Sequence, residues 1–136
     1  MLCVRHIVNE KILIVEDDDG IMDILNIILK RAGYETNSFS DGRPVMAGKY
    51  ELPDLYLLDK QLSGVDGLDI CRHLKEDPLT KNIPVIMVSA NPQINVLSEN
   101  AGADDYIEKP FTIETLLSTI KQHLGQSSQT LTVISA

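Results

Sequence analysis

Lys11 to Gly20 reads "KILIVEDDDG". Four apolar residues, Ile12 to Val15, run without interruption into four carboxylates, Glu16, Asp17, Asp18 and Asp19. An unbroken β-branched and leucine run of this length is what a parallel strand needs when both its faces are covered. The acids that follow repel one another by roughly 1 kcal/mol per close pair even in water, so something must offset them. Two explanations are open at this point. Acids at the N-cap and in the first turn of a helix satisfy free N–H groups and favour the positive end of the helix dipole. A divalent cation would neutralise them outright.

Working outward, apolar strand-like runs alternate with segments of helical period. "GIMDILNIILKRAG" sets Ile21, Ile24, Leu25 and Ile28 at helical spacing, with Gly33 suited to the position just past the helix end. "YETNSF" is a weaker strand, "SDGRPVMAGKY" a short helix with Pro44 in its first turn, and "PDLYLLD" a strand closing on Asp59. "GLDICRHLKED" puts Leu68, Cys71 and Leu74 on one face. "IPVIMVSA" is a buried strand, "NPQINVLSENAG" a helix opening at Pro92, and "DDYIEK" a fifth strand. In the last helix, Ile113, Leu116, Leu117, Ile120 and Leu124 form the expected buried stripe, and Gly125 the stop. Five strands alternating with five helices predict an α/β fold, a doubly wound parallel sheet between two helical layers. One domain is expected over residues 11–124. An N-terminal extension precedes it at 1–10, and 125–136 forms a tail that is disordered or opens a linker.

The 136 residues suffice to bury a core without disulfides or structural metals. A net charge of -8 disfavours direct contact with nucleic acid or an anionic membrane and favours cations and basic partners. Cys3 and Cys71 suggest neither a disulfide framework nor a metal knuckle and suit a reducing cytoplasm. Arg5 and His6 break the apolar N-terminus, a poor signal peptide, and no stretch approaches the roughly 20 apolar residues that span a bilayer. His6, His73 and His123 lack metal-ligand spacing and read as surface residues.

Open parallel sheets bind ligands outside the carboxyl ends of their strands. Glu16 and Asp17 follow the first strand, Asp59 ends the third, Ser89 the fourth and Lys109 the fifth, so one edge collects them all. A carboxylate such as Asp59 can attack phosphorus to give an aspartyl phosphate. Mg²⁺ takes few carboxylates together with water and phosphate oxygens, Lys109 supplies a point charge, and the Ser89 hydroxyl a hydrogen bond. Singly, Asp59 is a turn acid, Lys109 a solvated charge, Ser89 a helix cap and Tyr106 half-buried packing.

The blocks "ILIVEDD", "LYLLDKQLSGVDGLDICRHLK", "PVIMVSA" and "DDYIEKPF", in this order, resemble those of two-component response regulator receiver domains, CheY-like proteins, over residues 11 to 124. The resemblance implies a flavodoxin-like strand order 2-1-3-4-5 and phosphoryl transfer to Asp59 from a phosphohistidine of a histidine kinase or histidine phosphotransfer protein. It implies Mg²⁺ on Glu16, Asp17, Asp59 and the backbone carbonyl of Gln61, which leaves Asp18 and Asp19 to cap the helix. Ser89 and Tyr106 would form a switch pair, and a cis peptide between Lys109 and Pro110 would aim the lysine. The face around Tyr106 would meet a downstream protein target or output domain, and relatives also use it to form homodimers.

This chain departs from the pattern at Ser63, where relatives usually carry proline, and at Lys60 beside the acceptor. Two other readings stand against a signalling receiver. An aspartyl-phosphate phosphatase would want a second acid two residues after the nucleophile, where Gln61 stands. A pseudo-receiver that works without phosphorylation would not need Glu16, Asp17, Asp59, Ser89 and Lys109 together.

Overall fold

The computed structural model describes the backbone of residues 9–131 and the side chains of residues 9–124. Its strands are β1 (Lys11–Val15), β2 (Glu35–Phe39), β3 (Leu55–Asp59), β4 (Val85–Ser89) and β5 (Asp105–Glu108). Its helices are α1 (Asp19–Arg31), α2 (Arg43–Met46), α3 (Gly67–Glu76), α4 (Ile94–Asn100) and α5 (Ile113–Leu131). All pairings are parallel, in the order β2-β1-β3-β4-β5.

Because strand side chains alternate between faces, each central strand feeds two cores. Ile12, Ile14, Leu55, Leu57, Ile86 and Val88 point to one face, packed with Leu25 and Leu29 of α1 and Leu116, Ile120 and Leu124 of α5. Leu13, Val15, Tyr56, Leu58, Val85 and Met87 point to the other, packed with Val45 of α2, Leu68, Cys71 and Leu74 of α3, and Ile94 of α4. The three-layer sandwich of the sequence reading follows from this division.

Helix ends follow local chemistry. Asp18 is the N-cap of α1, its carboxylate accepting from the Ile21 N–H at 3.0 Å, and Asp19 lies in the first turn. At the other end Gly33 takes a left-handed φ of 98°. Its N–H reaches the Lys30 carbonyl and the Tyr34 N–H the Leu29 carbonyl, each at 3.0 Å, which closes the helix in a Schellman motif.

Four details differ from the sequence reading. Helix α4 starts at Ile94, beyond Pro92. Gly125 does not stop α5, which runs to Leu131. Glycine costs only about 1 kcal/mol against alanine inside a helix, and no proline follows to end it. Ile24 and Ile113, expected in buried stripes, are each 55% exposed. In α1 the buried positions are Leu25, which the sequence reading named, and Leu29, with Ile21 and Ile28 partly buried against the same core. His123 is not a free surface residue, since its Nε2 lies 3.0 Å from Asp105 Oδ2. The expected N-terminal extension up to residue 8, with Cys3 and His6, and tail residues 132–136 lie outside the described residues.

Candidate functional site

The parallel register brings the carboxyl ends of β1, β3, β4 and β5 to one edge of the sheet, and three carboxylates meet there. One oxygen each from Glu16, Asp17 and Asp59 can be chosen so that all lie within 4.8 Å of one another. Glu16 and Asp59 are almost sealed from solvent, 3% and 4% exposed, while Asp17 is open. Lys109 Nζ sits 3.3 Å from Glu16 Oε1 and 3.5 Å from Asp59 Oδ1, a single ammonium shared by two buried carboxylates.

That crowding has an electrostatic signature. Burial first, and the Asp59 charge second, push the Glu16 carboxyl up to about 7, although the Asp18 N–H and Lys109 pull the other way. One ammonium faces three carboxylates, and every donor is a hard oxygen. This set suits Mg²⁺, which binds through few carboxylates and keeps positions for water or phosphate. The four acids of the opening run therefore divide. Glu16 and Asp17 face the pocket, while Asp18 and Asp19 serve α1.

The surrounding loops hold this arrangement. Ser89 is fully buried, and its hydroxyl accepts from the Asn91 N–H at 3.0 Å in a turn ahead of α4 rather than as that helix's cap. Its carbonyl accepts from the Lys109 N–H at 2.8 Å, and the Lys109–Pro110 peptide is cis. The Gln61 N–H lies 3.4 Å from Asp59 Oδ1. Tyr106 is 41% exposed and pairs in register with Met87, two residues back from the Ser89–Glu108 pair. Both departures from the pattern find partners. The Ser63 hydroxyl donates to Asp17 Oδ2 at 3.2 Å, and Lys60 Nζ is 3.3 Å from Asp66 Oδ2.

Sequence reasoning passed over Gly67. A Cβ there would collide with the Asp59 carbonyl oxygen and approach its carbonyl carbon and the Lys60 Cα to 2.9 Å. The Gly67 N–H donates to the Lys60 carbonyl at 3.1 Å, so the start of α3 lies directly against the acceptor's backbone. The signal was present. Asp66 is the N-cap of α3, accepting from the Leu68 N–H at 2.8 Å, and a glycine in the next, first helical position is a poor helix former that wants a reason.

The family model of the response regulator receiver domain matches residues 12–121. Among curated proteins, the DNA-binding dual master transcriptional regulator RpaA of Synechocystis is 38% identical over 122 residues, covering 88% of this chain and 51% of that protein. The chain spans about half the length of the curated relatives it matches. Among solved structures, a CheY-like response regulator receiver domain protein from Methanospirillum hungatei superposes with a TM-score of 0.78 at 32% identity, covering 90% of this chain and 98% of that one. The receiver domain of a sensor histidine kinase from Pseudomonas aeruginosa gives 0.79 at 25% identity, covering 87% and 99%. That structure has a magnesium ion coordinated in its active site cleft.

Proposed function

The chain belongs to the response regulator receiver family, and on that premise we propose that it takes a phosphoryl group from a phosphohistidine onto Asp59 and reports the change through Ser89 and Tyr106. The observation that carries this reading is the pair of buried carboxylates, Glu16 and Asp59, sharing Lys109 beside the open Asp17. In the transfer, an Asp59 carboxylate oxygen forms the new bond to phosphorus as the P–N bond breaks and its electron pair leaves with the imidazole nitrogen. Lys109 offsets charge on the phosphoryl oxygens and the Ser89 hydroxyl donates to one of them. Glu16, Asp17, Asp59 and the Gln61 carbonyl are the groups that would hold Mg²⁺. Once bound, it supplies the positive charge that lets two anions meet.

Drawing the Ser89 hydroxyl toward phosphate would leave room for the Tyr106 ring to turn inward. The face of α4, β5 and α5 would then shift in population by no more than the phosphate's preference for one state. The donor is a histidine kinase or histidine phosphotransfer protein, and the listener a protein target or output domain. Receivers of this family are generally signalling phosphoacceptors rather than enzymes acting on other substrates. Among the described residues no helix is long and apolar enough to cross a membrane, and a cytoplasmic location fits the phosphodonor.

The test is intact mass after incubation with acetyl phosphate, with and without Mg²⁺, for the wild type and Asp59→Asn. A single phosphoryl adduct that requires both Mg²⁺ and Asp59 is expected. A folded wild type that never acquires the adduct, even when quenched early, would leave the pseudo-receiver reading. Steady turnover of an added phosphomonoester would instead favour the hydrolase.

A further inference from the structure

The three carboxylates of the pocket are not held alike. Glu16 and Asp59 are buried, and each has donors of its own. Lys109 Nζ reaches both, the Asp18 N–H donates to Glu16 Oε2 at 3.2 Å, and the Gln61 N–H lies beside Asp59 Oδ1. Asp17 is exposed. Among the described residues its carboxylate has one hydrogen-bond partner, the Ser63 hydroxyl, which donates to Oδ2 at 3.2 Å across 46 positions of sequence. Ser63 is itself placed by a loop that is closed at its base. The Leu62 and Gly67 N–H groups both donate to the Lys60 carbonyl at 3.1 Å, and Lys60 Nζ pairs with Asp66. At the apex the Val65 N–H donates to the Ser63 carbonyl at 3.1 Å, and Gly64 makes the turn with a left-handed φ of 87°.

We propose that Ser63 is a positioning residue for the divalent cation, acting through Asp17, an inference that rests on the receiver reading above. Burial fixes Glu16 and Asp59 before any cation arrives, whereas an exposed aspartate is free to turn away from the pocket. The Ser63 hydroxyl removes that freedom. A carboxylate has lone pairs enough to accept from a hydroxyl and bind a cation together, and Mg²⁺ tolerates little departure from octahedral geometry, so a ligand oriented in advance raises affinity. The same bond ties two loops. Among the described residues it is the one hydrogen bond that joins residues 16–18 to residues 60–66, and Gln61, whose carbonyl would be a further ligand, lies on the second of these. Proline, which relatives usually carry in place of Ser63, has no hydroxyl to offer. The contact does little for the fold itself, because both side chains are exposed and neither would be left buried without a partner. Its effect therefore belongs to metal binding rather than to stability.

Isothermal titration of the full chain with Mg²⁺ alone, no phosphodonor present, tests the proposal on the wild type, Ser63→Ala and Ser63→Thr. Removing a group that orients a metal ligand typically weakens binding 10- to 100-fold, and this contact is exposed, so Ser63→Ala should raise the Kd by roughly three- to tenfold. Ser63→Thr keeps the hydroxyl and should restore the wild-type value. Thermal melts in EDTA should superpose for all three, and the upward shift of the melting point with Mg²⁺ should be smaller for Ser63→Ala alone. Wild-type affinity in Ser63→Ala overturns the proposal. So does a Ser63→Ala that melts lower in EDTA and is not rescued by threonine, since the hydroxyl would then serve only the loop. The acetyl phosphate adduct separates this failure from that of the receiver reading. A wild type that takes the adduct with Mg²⁺ while Ser63→Ala binds the metal equally well sinks the role of Ser63 alone, and a wild type that neither binds Mg²⁺ nor takes the adduct sinks both.

Discussion

Asp59→Asn should make the protein more stable when divalent cations are absent. The wild type holds two buried carboxylates against one ammonium, and the substitution leaves Glu16 with Lys109 to itself. Raising the Glu16 carboxyl from its ordinary 4.5 to about 7 corresponds to about 3 kcal/mol of resistance to ionisation. Burial is the larger cause and Asp59 the second, which puts the share released by the substitution at about 1 kcal/mol. Bare repulsion at 4 Å and an effective dielectric of 20 would give roughly 4 kcal/mol, an upper bound that Lys109 reduces. The expected gain at pH 8 in EDTA is thus about 1 to 2 kcal/mol, or a melting point higher by roughly 3 to 8 °C for a domain of this size. Below about pH 4.5 Glu16 is protonated whether the chain is folded or not and contributes nothing. As the pH rises from there to about 7, the unfolded chain ionises while the folded one keeps its proton, so wild-type stability falls across that window and then levels. The advantage of Asp59→Asn should grow over the same window. Excess Mg²⁺ should erase it, because the cation stabilises the protein that binds it more tightly. Urea titrations at pH 4.5, 6 and 8, with EDTA or Mg²⁺, measure all of this. A variant less stable than the wild type in EDTA at pH 8, or a difference that does not change with pH, would refute the reasoning.

Lys109→Ala removes the one ammonium that, among the described residues, pairs with both buried acids, so it should cost about 2 to 3 kcal/mol at pH 8 and less at pH 4.5. Denaturation at both values and the phosphorylation rate with acetyl phosphate read the two consequences. Gly67→Ala forces a methyl against the Asp59 carbonyl. It should lose about 2 kcal/mol or more in urea titration and slow phosphorylation by displacing the acceptor. Tyr50→Phe deletes the partner of the buried Tyr56 hydroxyl, 2.6 Å away, and should cost about 1 to 2 kcal/mol with no change in phosphorylation rate.

The pocket was legible because its logic is topological. Once parallel strands are read at "KILIV", "LYLLD" and "VIMVS", their ends must share an edge, and Glu16, Asp59, Ser89 and Lys109 come together without knowledge of any contact. The helix faces were less so. A 3.6-residue period says that α1 has an apolar stripe, but with Ile21, Met22, Ile24, Leu25, Ile27, Ile28 and Leu29 available the stripe is wide enough to admit several rotations. What fixed the rotation is polar and lies elsewhere in the chain. The Asn26 amide donates to Ser38 Oγ at 3.0 Å and its carbonyl oxygen accepts from Thr36 Oγ1 at 2.6 Å, both on β2. That network holds Asn26 toward the edge strand, seats Leu25 and Leu29 on the sheet and turns Ile24 and Ile27 outward. A helix designed only for its own core would not carry isoleucine at those two positions, since exposed serine or lysine would cost the fold nothing. Their apolar character is therefore not explained by the core of the domain. The sequence could show the surplus of isoleucine, but only the structure could show which of them were spare.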